Sequence, residues 1–178
     1  METITIIGAL PYDKVRQDCH KVKDGDEYVI NHYAWQIVKQ NGTCLLEGNP
    51  IVFLVPIPGH TGDATHALTL AKAIGRELNE KGGRVGVLDC LECEPHEPLY
   101  DKKKRGEDIY GIDLKMHFKS KKLKNTFDTI KNAQYTNTKL FLIDNVVDTG
   151  HTIREAFKAT GNLPVIAIGD TGLCNLNQ

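Results

Sequence analysis

The sequence has no long apolar run, no basic segment at its N-terminus and no excess of charge of either sign. No run approaches the roughly 20 apolar residues that a helix needs to span a bilayer. The short apolar stretch near the N-terminus follows Glu2 rather than basic residues, so it is not typical of a signal peptide. With 22 Lys and Arg against 23 Asp and Glu, the net charge of −1 gives no general attraction to nucleic acid or membranes. We therefore expect a cytoplasmic protein with neither of these partners.

Two nucleotide-binding motifs and a zinc motif are also absent. No GxxxxGK[ST] occurs, and no GxGxxG follows a predicted strand, which argues against a P-loop kinase and a dinucleotide enzyme. Cys90 and Cys93 form a CxxC pair with His96 nearby, but a structural zinc site needs four ligands and no second pair follows. Cys174 and His117 are isolated. The five cysteines, an odd number, indicate free thiols in a reducing compartment.

The chain does contain an alternation of apolar runs and helical patterns. Unbroken runs rich in Val, Ile and Leu occupy residues 51–58, 84–90, 139–144 and 164–170. Such runs are typical of strands buried on both faces of a parallel sheet. The alternation predicts an α/β fold with an open, mainly parallel, twisted sheet and helices on both faces. A length of 178 residues suits a single domain, 1–178.

Helical patterns lie between these runs. One helix is predicted from about Thr61 to the glycines that follow residue 81, and another over 122–133. A third is predicted to begin at Thr152, because Thr152 to Glu155 form a capping-box pattern. The first 49 residues are less regular and suggest a strand near the N-terminus and a helix over 28–42.

The stretch TKLFLIDNVVDTGHTIREAF places polar residues between a predicted strand and a predicted helix. Gly150 can bend the loop so that backbone N–H groups point inward, and these groups with the helix N-terminus attract a phosphate. The hydroxyls of Thr149 and Thr152 can add two hydrogen bonds. Asp144 and Asn145, a carboxylate beside an amide, can bind neighbouring hydroxyls. The residues therefore predict a ribose 5-phosphate site.

The same stretch resembles the ribose-phosphate signature of the type I phosphoribosyltransferases: four apolar residues, two acids, two apolar residues, then Asp-Thr-Gly-x-Thr. Every position from Leu140 to Thr152 fits except Asn145, where the family usually has a second acid. The resemblance implies that Asp144 contacts the ribose and, indirectly, Mg²⁺, and that Asp148 is the catalytic residue near the anomeric carbon. The implied ribose 5-phosphate site comprises Asp144, Asn145, Asp148, Thr149, Gly150, His151 and Thr152.

Two other segments carry a weaker resemblance. The loop VPIPGHTGDA stands where the family binds pyrophosphate, and VPIP followed by LAKAIGREL looks like the competence-protein (ComF-like) branch. The implied pyrophosphate loop is Pro58, Gly59, His60, Thr61 and Gly62, and the two prolines suggest a rigid turn with a cis bond. Residues 91–120 fall where the family has a mobile lid, whose implied cations are Lys102, Lys103, Lys104 and Arg105. On sequence alone, the first pattern is equally a simple turn and the second is more often a solvated surface.

The resemblance implies a phosphoribosyltransferase of nucleotide metabolism. Such an enzyme moves ribose 5-phosphate from 5-phosphoribosyl 1-pyrophosphate (PRPP) to a nitrogen acceptor, with Mg²⁺ as cofactor and release of pyrophosphate. By analogy the acceptor is a nucleobase and the protein a homodimer. The acceptor would lie under a small variable hood, built from residues 1–49 and the C-terminal tail over a core of about 50–170. Tyr33 and Trp35 are candidates for stacking on the base, although core packing is the commoner role. Asn145 keeps an alternative open, a regulatory protein that binds PRPP without turnover.

Overall fold

Short strands and helices alternate along the chain. A computed structural model describes residues 4–133 and 137–172, so the C-terminal tail and Cys174 lie outside the described residues. The strands are β1 (Ile6–Ile7), β2 (Leu10–Pro11), β3 (Ile51–Pro56), β4 (Arg84–Val87), β5 (Leu91–Glu92), β6 (His117–Phe118), β7 (Thr138–Ile143), β8 (Val146–Val147), β9 (Val165–Ile166) and β10 (Gly169–Asp170). The helices are α1 (Tyr12–Lys23), α2 (Glu27–Leu46), α3 (Thr65–Glu80), α4 (Leu99–Lys104), α5 (Lys121–Lys131) and α6 (His151–Thr160).

Five of the strands form one parallel sheet, in the order β4-β3-β7-β9-β1. The central strands β3 and β7 pair from Ile51 opposite Thr138 to Pro56 opposite Ile143. β3 is apolar along its length and β7 from Leu140 onward, because the sheet is covered on both sides, and the predicted parallel sheet is confirmed. Beyond it, β2, β10 and β8 form a small parallel sheet, and β5 pairs with β6 antiparallel.

Helices pack on both faces of the sheet. Leu54 and Phe141 point to the face covered by α1, α2 and α3, and all of these belong to one buried apolar cluster. The neighbouring residues Val55 and Leu142 point to the opposite face, where they join residues of α5 and α6. This alternation follows from the strand geometry, in which successive side chains face opposite sides. Among the described residues, no helix combines the length and the apolar character that crossing a bilayer requires.

The first 49 residues contribute to the main body of the fold. Strand β1 forms the edge of the five-stranded sheet, and α2 packs its buried side against α3. Asp26 caps α2, because its carboxylate accepts a hydrogen bond from the Val29 N–H at 3.1 Å. The predicted helix over 28–42 is thus part of a longer helix. Of this segment, α1 is the element that reaches the site described below.

Three local predictions are wrong. Helix α3 begins at Thr65 rather than near Thr61, because the preceding residues form a closed turn before the helix starts. Helix α6 begins at His151 with Gly150 at the N-cap, so Thr152 lies inside the helix and does not cap it. Gly150 takes this position with a φ of 75°, which residues with a Cβ rarely adopt. The described residues also contain no cis peptide bond, so the turn at Pro56 has only trans bonds.

The connections leave a crevice between β3 and β7. The chain leaves β3 through α3 toward β4 at one side of the sheet, and it leaves β7 through α6 toward β9 at the other. The two connecting helices lie on opposite faces. In open α/β sheets this reversal of strand order marks the place where ligands bind, beyond the carboxyl ends of the strands.

Candidate functional site

A cleft of about 550 Å³ occupies this crevice. Its floor is formed by the loops that follow β3 and β7, one wall by α1, and its cover by α4 with the preceding residues. The predicted site residues that line it are Pro58, Gly59, His60, Lys103, Asp144, Asn145, Asp148, Thr149, Gly150, His151 and Thr152. Residues far apart in the sequence are therefore brought to one cavity by the parallel strands.

The loop before α6 has the geometry of an anion site. With Gly150 at the N-cap, the first hydrogen bond of the helix runs from the Arg154 N–H to the Gly150 carbonyl at 2.9 Å. Within the described part of the chain, the N–H groups of Thr152 and Ile153 bind no carbonyl, as is usual in a first helical turn. The buried Thr149 hydroxyl lies 3.4 Å from the His151 N–H. These donors and the helix dipole favour a phosphate at this position.

The His151 side chain has a different role from its backbone. Its Nε2–H donates to the Ile112 carbonyl at 2.8 Å, and the ring is buried. The neighbouring Glu155 is also buried on α6 and accepts a hydrogen bond from the Leu114 N–H at 3.3 Å. Helix α6 therefore holds the backbone at Ile112 and Leu114, where the chain leaves the cover of the cleft. The imidazole of His151 takes part in this contact through its Nε2–H.

Asp144 follows β7 and is an acid in a poor environment for charge. Burial raises its pKa to about 6, against the lowering effects of the Asn145 and Val146 N–H groups and of the positive charge on Lys23. Its Oδ1 accepts the Asn145 N–H at 2.7 Å. The side-chain Oδ1 of Asn145 is buried and has no hydrogen-bond partner among the described residues. The position where the family has a second acid thus carries a neutral group, in a place that would penalise a charge.

Asp148 is held from two sides. The Lys103 ammonium contacts both carboxylate oxygens at 3.1 and 3.0 Å. The Thr171 hydroxyl lies 3.1 Å from the Asp148 Oδ1 and 3.1 Å from its carbonyl. Thr171 has no signal in the sequence, because β10 brings it to the site only through pairing with β8. The carboxylate is oriented toward the cleft and balanced by a flexible cation.

The predicted pyrophosphate loop is only partly exposed to the cleft. Pro58, Gly59 and His60 line it, whereas Thr61 and Gly62 do not. The Gly59 N–H donates to the Asp63 carbonyl at 2.8 Å, and the Gly62 N–H to the Gly59 carbonyl at 3.0 Å. The loop is therefore closed on itself, and the N–H groups of its two glycines are not available to a ligand.

One of the four cations predicted for the cover lies in the lining of the cleft. Lys103 lines the cleft. Lys102 and Arg105 pair instead with Glu97 and Glu107. The Lys104 ammonium lies 4.8 Å above the ring of Tyr100. The stretch 91–120, which appeared irregular in the sequence, contains α4, β5 and β6, and it presents one lysine to the site.

Several lining residues were missed by the sequence analysis. From α1 come Tyr12, Cys19, His20 and Lys23, and from other segments come His66, His96, Tyr100 and Ile109. The signal for α1 was present, because its lining residues recur at helical spacing on one face. The two aromatic candidates are elsewhere: Tyr33 is buried with its hydroxyl 2.8 Å from Asp18, and Trp35 is half exposed beneath Lys39.

The four cysteines within the described residues are ordinary thiols. Cys19, Cys90 and Cys93 are buried and free, and Cys44 is free and exposed. Burial raises the pKa of the Cys90 thiol to about 12 and that of Cys19 to about 11, so neither forms a thiolate at neutral pH. Within residues 4–133 and 137–172, no three His, Cys, Asp or Glu side chains are arranged to hold a metal ion. Magnesium is usually held by one or two carboxylates together with the phosphates of a bound ligand, so the indirect role of Asp144 stays a prediction.

Comparison with known proteins adds no family to this description. No model of a known protein family matches the sequence, and a search of curated proteins finds no match. The function must therefore be inferred from the chemistry of the cleft.

Proposed function

We propose that this protein binds PRPP in the cleft and transfers its ribose 5-phosphate group to a nitrogen acceptor, with release of pyrophosphate. The observation that carries the proposal is the convergence, at one switch-point cleft, of the helix N-terminus at Gly150, the carboxylates of Asp144 and Asp148, and the ammonium of Lys103. A 5-phosphate at the helix, ribose hydroxyls over the end of β7 and a pyrophosphate beneath α4 would each meet groups of matching chemistry.

Asp148 is the proposed catalytic residue. A bond forms from the acceptor nitrogen to the anomeric carbon while the bond from that carbon to the pyrophosphate oxygen breaks, and positive charge develops on the sugar ring. The Asp148 carboxylate would stabilise that charge or accept the proton that the acceptor nitrogen loses. Lys103 contacts Asp148 at about 3 Å and can turn on its flexible stem toward the pyrophosphate, whose negative charge it would balance.

A second function, PRPP sensing without turnover, is favoured by Asn145. This side chain is buried and neutral where the family has a second acid, so one negative charge beside the ribose is missing. A regulatory protein needs the phosphate loop and the sugar site but not the transfer. The two functions share the same ligand and differ in the release of pyrophosphate.

Calorimetric titration with PRPP, with and without Mg²⁺, tests the shared ligand. Thr149→Val should weaken binding about 10–100-fold, because a hydrogen bond to a charged phosphate contributes roughly 1.5–3 kcal/mol. Thr126→Val is the matched control, since that hydroxyl binds the Lys122 carbonyl on α5, away from the cleft. An unchanged Kd for Thr149→Val would place the phosphate elsewhere.

Pyrophosphate release over a panel of purine and pyrimidine bases separates the enzyme from the sensor. Asp148→Asn should lower kcat about 100-fold or more while PRPP still binds, because it removes charge from the reacting centre. Asp128→Asn is the control, an exposed acid that pairs with Lys124 on α5. Turnover that survives Asp148→Asn would refute the catalytic role, and tight binding without turnover on any base would favour the sensor.

A further inference from the structure

Histidines are concentrated around the cleft. Of the seven histidines in the chain, five line it: His20, His60, His66, His96 and His151. The ring of His151 is bound to the Ile112 carbonyl. Three of the others form the side of the cleft that includes the predicted pyrophosphate loop. They are His60 in the loop after β3, His66 in the first turn of α3 and His96 in the segment before α4.

A backbone hydrogen bond holds the segments that carry His60 and His96 side by side. The His96 N–H donates to the His60 carbonyl at 2.9 Å. The His96 Nδ1–H donates to the Glu97 carbonyl at 2.8 Å, which leaves its Nε2 lone pair open to accept a proton. His66 stands beside Asp63, whose carboxylate is bound to the Thr65 N–H at 2.9 Å. The three rings do not converge on a metal position within the described chain.

The fixed charges of the cleft do not suit a polyanion. Its lining carries two lysines, Lys23 and Lys103, and three aspartates, Asp63, Asp144 and Asp148, which gives 2 − 3 = −1 when the histidines are neutral. The ammonium of Lys103 is already paired with Asp148. A sugar pyrophosphate therefore needs further positive charge in the cleft, supplied either by a divalent cation or by protons.

We propose that His60, His66 and His96, with Lys23, form a pyrophosphate subsite that gains its positive charge by proton uptake on binding, so that a divalent cation is not required. The proposal rests on the proposed function, since it concerns how the same ligand is held. Imidazoles suit this task because a nearby phosphate raises their pKa through neutral pH.

The surroundings of His60 favour its neutral form before the ligand binds. Burial lowers the pKa of His60, and the charges of Lys23, His96 and His66 lower it further, while Asp101 acts in the opposite direction. Other titratable groups that face the three rings are His20 on α1, Asp63 before α3, Lys103 on α4 and the two acids after β7. An incoming polyanion reverses the balance, so protons are taken up and binding should strengthen as the pH falls.

Calorimetry of the full chain with PRPP and with inorganic pyrophosphate tests this. Titrations at pH 7.5 in EDTA, in buffers of different ionisation enthalpy such as Hepes and Tris, give the number of protons taken up. We expect binding in EDTA with uptake of at least one proton, and a Kd that rises about tenfold per pH unit per proton between pH 7 and 8.5. His60→Gln and His66→Gln should each reduce the proton number. His117→Gln, an exposed histidine on β6, is the control.

The outcomes separate this inference from the proposed function. PRPP binding that requires Mg²⁺, or that takes up no protons, overturns the inference and leaves the proposed function in place. Absence of PRPP binding both in EDTA and in Mg²⁺ overturns both. Lys23→Gln should weaken binding in EDTA at least tenfold, whereas Lys21→Gln, on the outer side of the same helix and paired with Asp18, should not. Equal effects of the two lysine variants would also overturn the subsite.

Discussion

Replacing Asp144 by Asn should make the protein more stable at neutral pH. Burial raises the folded-state pKa of Asp144 from 3.8 to about 6. Between these two pKa values the folded state holds the proton more tightly than the unfolded state. The free energy of unfolding therefore falls as the pH rises from about 3.8 to about 6, and above that range the full loss of stability is present. A shift of about two pKa units corresponds to roughly 3 kcal/mol at pH 7.5. Asn resembles the neutral acid in shape and avoids that loss.

The free energy of unfolding, measured with urea at two pH values, checks the reasoning. Asp144→Asn should exceed the wild type by about 3 kcal/mol at pH 7.5 but by only about 1 kcal/mol at pH 4.5, where the wild-type acid is mostly protonated in the folded state. Asp128→Asn, which loses an exposed ion pair, should change stability by less than about 0.5 kcal/mol at both values. No gain at pH 7.5, or the same gain at both pH values, would refute a desolvated carboxylate. A confirmed gain would mean that the chain keeps this acid despite its effect on folding, as expected for a ligand-binding group.

Three further predictions concern the loop, the cover and the core. Gly62→Ala should lower the free energy of unfolding by about 2 kcal/mol or more, because the φ is 95° and the new Cβ would lie 2.9 Å from the Cys93 carbonyl oxygen. Gly82→Ala is the control for the backbone effect alone, because its φ is 83° and the space around it is open. Equal losses in the two variants would exclude a role for the contact between the new Cβ and the Cys93 carbonyl. Lys103→Met should lower the rate of pyrophosphate release at least tenfold with a change in stability below about 1 kcal/mol, since its ion pair is exposed; an unaltered rate would remove this lysine from the site. Tyr33→Phe should cost about 1 kcal/mol in urea unfolding through loss of the hydrogen bond to Asp18, with PRPP and base binding unchanged, and weaker base binding would return Tyr33 to the acceptor site.

The central sheet could be predicted because its strands are covered on both faces. β3 is apolar at every position and β7 from Leu140 to Ile143, and such runs identify strands without knowledge of their partners. Helix α1 was missed because only Val15, Cys19 and Val22 are buried along it, so its apolar stripe is narrow. The capping-box pattern indicated Thr152 as the start of α6. The start was misplaced because Gly150, in the left-handed conformation, is the N-cap instead.

The candidate site was predictable to the extent that it follows β3 and β7. Asp144 and His60 come after adjacent parallel strands, so their proximity follows from the sheet alone. Lys23, His96 and Thr171 reach the cleft through helix packing, a long connection and the pairing of short strands, and no local pattern encodes those placements. The outward pairing of Arg105 with Glu97 and Glu107 likewise depends on how α4 folds back on its own flanks.

Two hydrogen bonds join the cover of the cleft to the structure beneath it. At one end of the cover, His96 is tied to the loop after β3 through the His60 carbonyl, and at the other, Ile112 is tied to α6 through the ring of His151. The segment 97–111 is therefore anchored at both ends, and each anchor joins it to one of the two loops proposed to bind anions. A shift of either loop on ligand binding would be transmitted directly to the segment that carries Lys103.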